Sequence, residues 1–104
     1  MSKHFLKNKE FIHLILHTSN DQALALIDTI TPEQIELLSE IAFNILKLPL
    51  PKKAKHLVNS KILLFRRLAD KKTSKDKKKR LLHKNAKHIL LTLWAIRPQL
   101  QQLQ

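Results

Sequence analysis

Seven of the ten residues from Lys71 to Arg80 are basic: Lys71, Lys72, Lys75, Lys77, Lys78, Lys79 and Arg80. On a helix, Lys75, Lys77, Lys78, Lys79 and Arg80 would cover most of the circumference, so they cannot all face a core. Lysine at this density attracts phosphates and displaces their condensed counterions, which gives affinity without reading sequence. Lys52, Lys53, Lys55, Lys61, Arg66, Arg67, Lys84 and Lys87 extend the same excess. The expected chemistry is a contact with a polyanion, duplex DNA first among the candidates. A solvated charged loop is the bland alternative. The run is also compatible with a nuclear-localisation signal, a pattern of low specificity.

Other constellations offer less. A helix–turn–helix is conceivable between Lys61 and Lys87, but its second helix carries mostly Lys and few residues suited to bidentate base contacts. Phe65 and Trp94 lie among aliphatic residues and are expected in the core, so stacking on single strands is not their role. His13 and His17 stand four apart, a spacing that can hold a metal. Leu14-Ile15-Leu16 between them lacks the glutamate of a zinc protease, however, and no further ligand is evident. Glu33, Glu36 and Glu40 are expected to form a solvated face. No Ser, His and Asp set has any support from spacing. The chain has no cysteine, which excludes disulfides and thiolate chemistry. It has no glycine either, so phosphate-cradling loops, nucleophile elbows and Rossmann turns cannot take their usual form. The expectation is a non-enzymatic protein with no cofactor and no metal.

The elements that must position the basic residues follow from length and charge. At 104 residues the chain is a single domain, and 43% hydrophobic with 27% charged residues is the composition of a folded protein. Residues 1–51 carry four Lys against six Asp or Glu, a net −2. Residues 52–104 carry sixteen Lys or Arg against Asp70 and Asp76, a net +14. Pro49 and Pro51 mark the boundary between a mildly acidic and a strongly basic half. The opening residues show no apolar run that could act as a signal peptide, and the stretch from Ile89 to Ile96 is far short of the ~20 residues that span a bilayer. A soluble protein within a cell or particle is expected.

Leu, Ile, Ala and Lys dominate and tyrosine is absent, a mixture that favours helices over strands. The periodicity predicts an all-α bundle of about five or six short helices. The first runs from about Lys3 to His17. Ser19 with Gln22 predicts a capping box for a short second helix. Thr31-Pro32-Glu33-Gln34 supplies an N-cap threonine, proline at N1 and glutamine at N3 for a third, ending near Lys47 before Pro49. A fourth is expected from Lys52 to Ala69, with Ala54, Leu57, Val58, Leu64, Phe65 and Leu68 inward. Thr73 with Asp76 predicts the cap of a short basic helix through Leu81 and Leu82, which Asn85 would end in the left-handed conformation. The last helix runs from about Ala86 to Pro98, and the tail from Gln99 is expected to fray.

Several segments in order carry a resemblance: Thr18-Ser19-Asn20-Asp21-Gln22, Thr29-Ile30-Thr31-Pro32-Glu33-Gln34, Leu38-Ser39-Glu40-Ile41-Ala42-Phe43-Asn44-Ile45-Leu46, and Leu68-Ala69-Asp70-Lys71-Lys72 with the basic run into Leu81-Leu82. Over about residues 18–86 the chain resembles the small lysine-rich proteins of adintovirus and Polinton (Maverick)-type DNA viruses and their integrated relatives. Where that pattern has glycines after the basic helix, this chain has Asn85 and Ala86. The resemblance implies a virion or host-nucleus setting in which a basic protein packages the genome, and it transfers no catalytic residues. The leading expectation is thus a virion core or DNA-packaging protein that contacts the phosphate backbone without sequence specificity. Its acidic helix could meet the basic half of a neighbour, giving head-to-tail assembly along DNA. A second reading is a minor capsid or scaffold protein whose basic face docks an acidic protein surface. A third, ranked last, is membrane activity through the helix around Trp94.

Overall fold

A computed structural model describes residues 9–102, with side chains described for residues 9–100. The described residues form eight helices and no strand, two or three helices more than the sequence pattern predicts. They are α1 (Lys9–His17), α2 (Asn20–Asp28), α3 (Pro32–Ile45), α4 (Lys52–Ser60), α5 (Ile62–Ala69), α6 (Lys75–Lys84), α7 (Ala86–Ala95) and α8 (Arg97–Gln102). The expected beginning of the first helix at Lys3 lies outside the described residues.

The helix starts follow local side-chain chemistry. Thr31 Oγ1 accepts from the Gln34 N–H at 3.2 Å, and Gln34 Oε1 accepts from the Thr31 N–H at 3.0 Å, so the capping box closes in both directions. Ser19 caps α2 by accepting from the Gln22 N–H. There the box stays open, because the Gln22 side chain accepts from the Thr18 hydroxyl instead. The basic helix is capped one residue later than Thr73 predicts. Ser74 accepts from the Lys77 N–H, while the Asp70 side chain accepts from the Lys72 N–H and its carbonyl from the Thr73 N–H. Asp70 thereby shapes the turn and leaves Ser74 as the residue with free reach to α6.

Helix ends must be made without glycine, and the chain does so without any positive φ among the described residues. Thr29, Lys61, Asn85 and Ile96 instead take φ between −133° and −103° with ψ between 11° and 46°. This is around the bridge region, which tightens the last turn without crossing to the left-handed side. Asn85 therefore does not adopt the left-handed conformation expected of it. It ends α6 by donating from Nδ2 to the Leu81 carbonyl and starts α7 at once, because Ile89 N–H bonds its own carbonyl.

The single helix expected from Lys52 to Ala69 is broken at Lys61 for the same kind of reason. Ser60 Oγ bonds the Leu57 carbonyl, Lys61 N–H bonds the Val58 carbonyl three residues back, and the chain turns a corner at φ −133°. The break lets α4 lie on α7 while α5 lies on α3, two directions one straight helix could not serve. At the other end, Pro98 sits in the first turn of α8, and Leu100 is buried. The tail expected to fray from Gln99 is helical as far as Gln102.

The helices are short, and the chain is nearly as thick as it is long, 30 × 28 × 27 Å. α3 packs along α5, and α7 receives α4, α2, α1 and α8. α6 closes the remaining side, touching α3, α5, α2 and α7. One continuous core runs from Ile12 and Ile15 through Ile27, Leu37 and Leu38 to Phe65, Leu82, Ile89 and Ile96. Polar groups drawn into it are mostly satisfied. Thr92 Oγ1 donates to the His88 carbonyl at 2.9 Å. His88 Nε2 lies 2.7 Å from the Leu57 carbonyl, which requires that nitrogen to carry the proton and ties α7 to α4.

Candidate nucleic-acid interface

The basic run divides among three faces of the fold. α6 turns Leu82 and, unexpectedly, Lys78 inward, four residues apart on one stripe. Lys78 is only 7% exposed, so it does not belong with the solvent-facing phosphate contacts. Burial lowers its pKa below the ordinary lysine value. Asp70 and Glu36 oppose that shift, and Lys75 adds to it. Lys75 turns towards α3, where its ammonium lies 2.8 Å from Glu36 Oε1. Lys71 lines the same side. Lys79 lies on the flank shared with His83, whose Nε2 is 4.0 Å from Asp28 Oδ1 of α2.

Lys77, Arg80 and Lys84 remain, and they are exposed at i, i+3 and i+7, one stripe on the outer side of α6. The start of α5 comes back beside the end of α6. Lys61 Nζ donates to Asn85 Oδ1 at 2.7 Å, closing the open end of this helical hairpin. Leu64, Phe65 and Leu68 of α5 are buried, which leaves Arg66 and Arg67 exposed on its outer half. α5 and α6 pack against each other, so the exposed Arg67 on one and Lys77, Arg80 and Lys84 on the other belong to one helical pair, whose connecting turn carries the exposed Lys72. Asp76, four residues before Arg80, lies at the edge of that stripe and offsets part of its charge at the start of α6. Four or more like charges held on rigid helices present a repeating array to a polyanion and repel one another until it arrives.

The remaining basic positions are exposed but spread out. Lys52, Lys53 and Lys55 crowd the first turn of α4, about 9 to 14 Å along the axis from the corner at Lys61. They sit at the positive end of that helix, with no acidic residue in its first turn and no side-chain cap on Pro51, so dipole and charge reinforce one another. Lys87 lies on the outer stripe of α7 with Leu91 and Trp94. Trp94 is not a core residue. It is 45% exposed, with the Arg97 guanidinium 3.9 Å above its ring. Phe65, in contrast, is buried as expected.

The acidic face is not simply solvated. Glu36 engages Lys75 within the chain, so at least one carboxylate proposed for head-to-tail assembly already has a basic partner of its own. The His13 and His17 rings stand 4.4 Å apart, tilted by 40°. Among the described residues no three His, Asp or Glu side chains gather where a metal could be held, and no helix is long and apolar enough to cross a membrane.

Sequence reasoning missed the inward turn of Lys78 and the Lys61–Asn85 clasp. Four-residue spacing between Lys78 and Leu82 was the available signal for the first. Nothing local announces the second, which joins residues 24 apart. The class defined by fold and site is a small all-α globule with an exposed basic seam. No protein-family model matches the chain, and neither a curated protein nor a solved structure is significantly similar to it.

Proposed function

We propose that the chain is a non-enzymatic nucleic-acid-binding protein that grips the phosphates of duplex DNA through the α5–α6 seam, with the α4 lysines as a second contact. The observation that carries this reading is the exposed outer stripe of Lys77, Arg80 and Lys84 on α6, with Arg67 exposed on α5, which Lys61 and Asn85 clasp to it. Such a stripe follows a backbone and reads no bases, because it offers ammonium and guanidinium groups and few amide side chains. A packaging role in a virion or host nucleus is the setting that the resemblance over residues 18–86 implies.

The test is binding to a random-sequence duplex of about 30 base pairs at several salt concentrations, comparing wild type with a K77E/R80E/K84E variant. Lys78 is left alone, since a carboxylate at a buried position would report on folding. Sequence-independent binding that weakens steeply with salt and is lost in the variant supports the reading. Equal binding by both proteins at low salt sinks it.

One observation favours a second reading. Leu63 is 61% exposed between Arg66 and Arg67 on α5, and a phosphate backbone offers it no apolar partner. An acidic protein surface with an apolar centre would cover all three, as a capsid or scaffold component could. Loss of a protein partner on L63D, with duplex affinity unchanged, would separate this reading from the first.

A further inference from the structure

Trp94 is the chain's only tryptophan, and the fold keeps it out of the core. Ile89, Leu90 and Leu93 of α7 and Ile96 just after it are buried, so the helix is anchored without the indole. Trp94 stands on the outer row with Lys87 and Leu91, at i, i+4 and i+7. The turn at Ile96 then brings Arg97 back over it, the guanidinium 3.9 Å from the ring centroid. With that guanidinium in place, Trp94 is still 45% exposed and Leu91 58%.

The charge around this aromatic surface is of one sign. No acidic residue follows Asp76 in the sequence, and α4 and α8, both packed on α7, carry none. On the other helices that touch α7 the acidic residues are Glu10, Asp21, Asp28 and Asp76. Asp28 faces His83, and Asp76 lies at the end of α6 away from α7. A flat aromatic ring with a cation at each end of its row suits an unpaired base, which stacks while its phosphates meet the charges. A duplex keeps its bases stacked on one another and offers the ring a face only at its ends. A membrane surface suits the row less well, because just two large apolar side chains stand out from α7 and the rest of its apolar surface is in the core.

We propose that Trp94 is a stacking platform for an unpaired base of single-stranded nucleic acid, with Arg97 and Lys87 holding the flanking phosphates and Leu91 lying between them. An exposed cation–π contact is weaker than base stacking, so a base can take the guanidinium's place on the ring and leave it to a phosphate. Lys87 and Trp94 stand about 10 Å apart along the axis, a length that two or three nucleotides cover. This site rests on the duplex reading only in taking nucleic acid as the ligand, since its residues are different ones.

Because Trp94 is the sole tryptophan, its emission reports on this site alone. The probes are a thymidine strand of about 12 nucleotides, an abasic strand of equal length and a blunt duplex of about 30 base pairs. The thymidine strand should quench Trp94 saturably, while the abasic strand and the duplex leave its emission nearly unchanged. W94L, which keeps an apolar side chain but no stacking face, should weaken binding of the labelled thymidine strand about tenfold by anisotropy. Its duplex affinity should be unchanged, and W94F should keep most of the affinity for the thymidine strand. The comparison of thymidine with abasic strand uses wild type alone, so it holds whether or not W94L folds. Equal emission changes with both strands, or W94L binding within about twofold of wild type, would overturn the proposal and leave the duplex contact standing. A blue shift of Trp94 on phosphatidylserine vesicles, without quenching by the thymidine strand, would also overturn it and give the face to a membrane.

Discussion

Replacing Lys77, Arg80 and Lys84 together with glutamine removes three charges from one stripe while leaving the packing of α6 intact. All three are exposed, and the residues that hold the helix in place, Leu82 above all, are untouched. Glutamine matches lysine and arginine in helix propensity, so the fold should be unaffected. If Arg67, Lys77, Arg80 and Lys84 each neutralise one phosphate, the logarithm of the duplex affinity should fall with the logarithm of salt at a slope of about −3.6. Raising salt from about 50 to about 200 mM then weakens binding about 150-fold. With only Arg67 left on the seam, the slope is about −0.9 and the same change weakens binding roughly threefold to fourfold. Lysines on α4 that also touch the duplex steepen both slopes equally, so the difference of about 2.7 survives them. Fluorescence anisotropy of a labelled 30-base-pair duplex across that salt range measures both slopes, and circular dichroism checks the fold. A slope difference below about 1 refutes the assignment of phosphate contacts to the outer stripe. If the same loss appears in K52Q/K53Q/K55Q instead, the interface lies on α4.

Three further outcomes follow from the packing. Leu82→Ala should destabilise the fold by about 2–5 kcal/mol, because a side chain with 0% exposure leaves a cavity where α6 meets the core. Thermal unfolding reads this as a fall of roughly 10 °C or more, and a shift of a degree or two would mean α6 is not an integral part of the core. Thr31→Ala should cost about 1 kcal/mol in urea unfolding, since it removes one half of a capping box closed in both directions; no change would mean the cap is idle. Lys78 has a folded pKa below its unfolded value of 10.5, so the unfolded chain binds the proton more tightly. Its penalty on folding is full below the folded pKa and vanishes above 10.5. K78M should therefore be at least as stable as wild type near neutral pH. Wild type should gain on it as pH rises towards 10.5, and parallel stability curves across that window would contradict the lowering of the Lys78 pKa.

Much of the local architecture was legible in the residues. Thr31-Pro32-Glu33-Gln34 specifies a helix start by interactions within four residues, and the start forms as read. The inward stripe of Ile35, Leu38, Ile41, Ala42 and Ile45 follows from 3.6-residue periodicity, and all five are buried. Trp94 was misplaced because α7 is apolar almost all round. Lys87, seven residues before Trp94 and on its stripe, was the one polar mark of the outer side, and the apolar weight of Ile89, Leu90, Leu91, Leu93 and Trp94 masked it. The break at Lys61 was invisible for a related reason. Asn59, Ser60 and Lys61 all tolerate a helix, and the corner pays off only through packing of α4 on α7 and α5 on α3.

Composition and short-range chemistry by themselves determined that this chain is helical, that two of its helices are capped by Ser19 and Thr31, and that its positive charge gathers after Pro51. Those properties depend on neighbours within one helical turn or on a plain count of charges, and both are present in the sequence. Only the tertiary structure decided how the basic run is used. Periodicity shows that Lys78 shares a stripe with Leu82, and that Lys77, Arg80 and Lys84 share another, but it does not say which stripe the rest of the chain will cover. α3, α5 and α2 settle that by closing on three sides of α6. They draw Lys78 inward to a groove, commit Lys75 to Glu36, and leave the third stripe to the solvent.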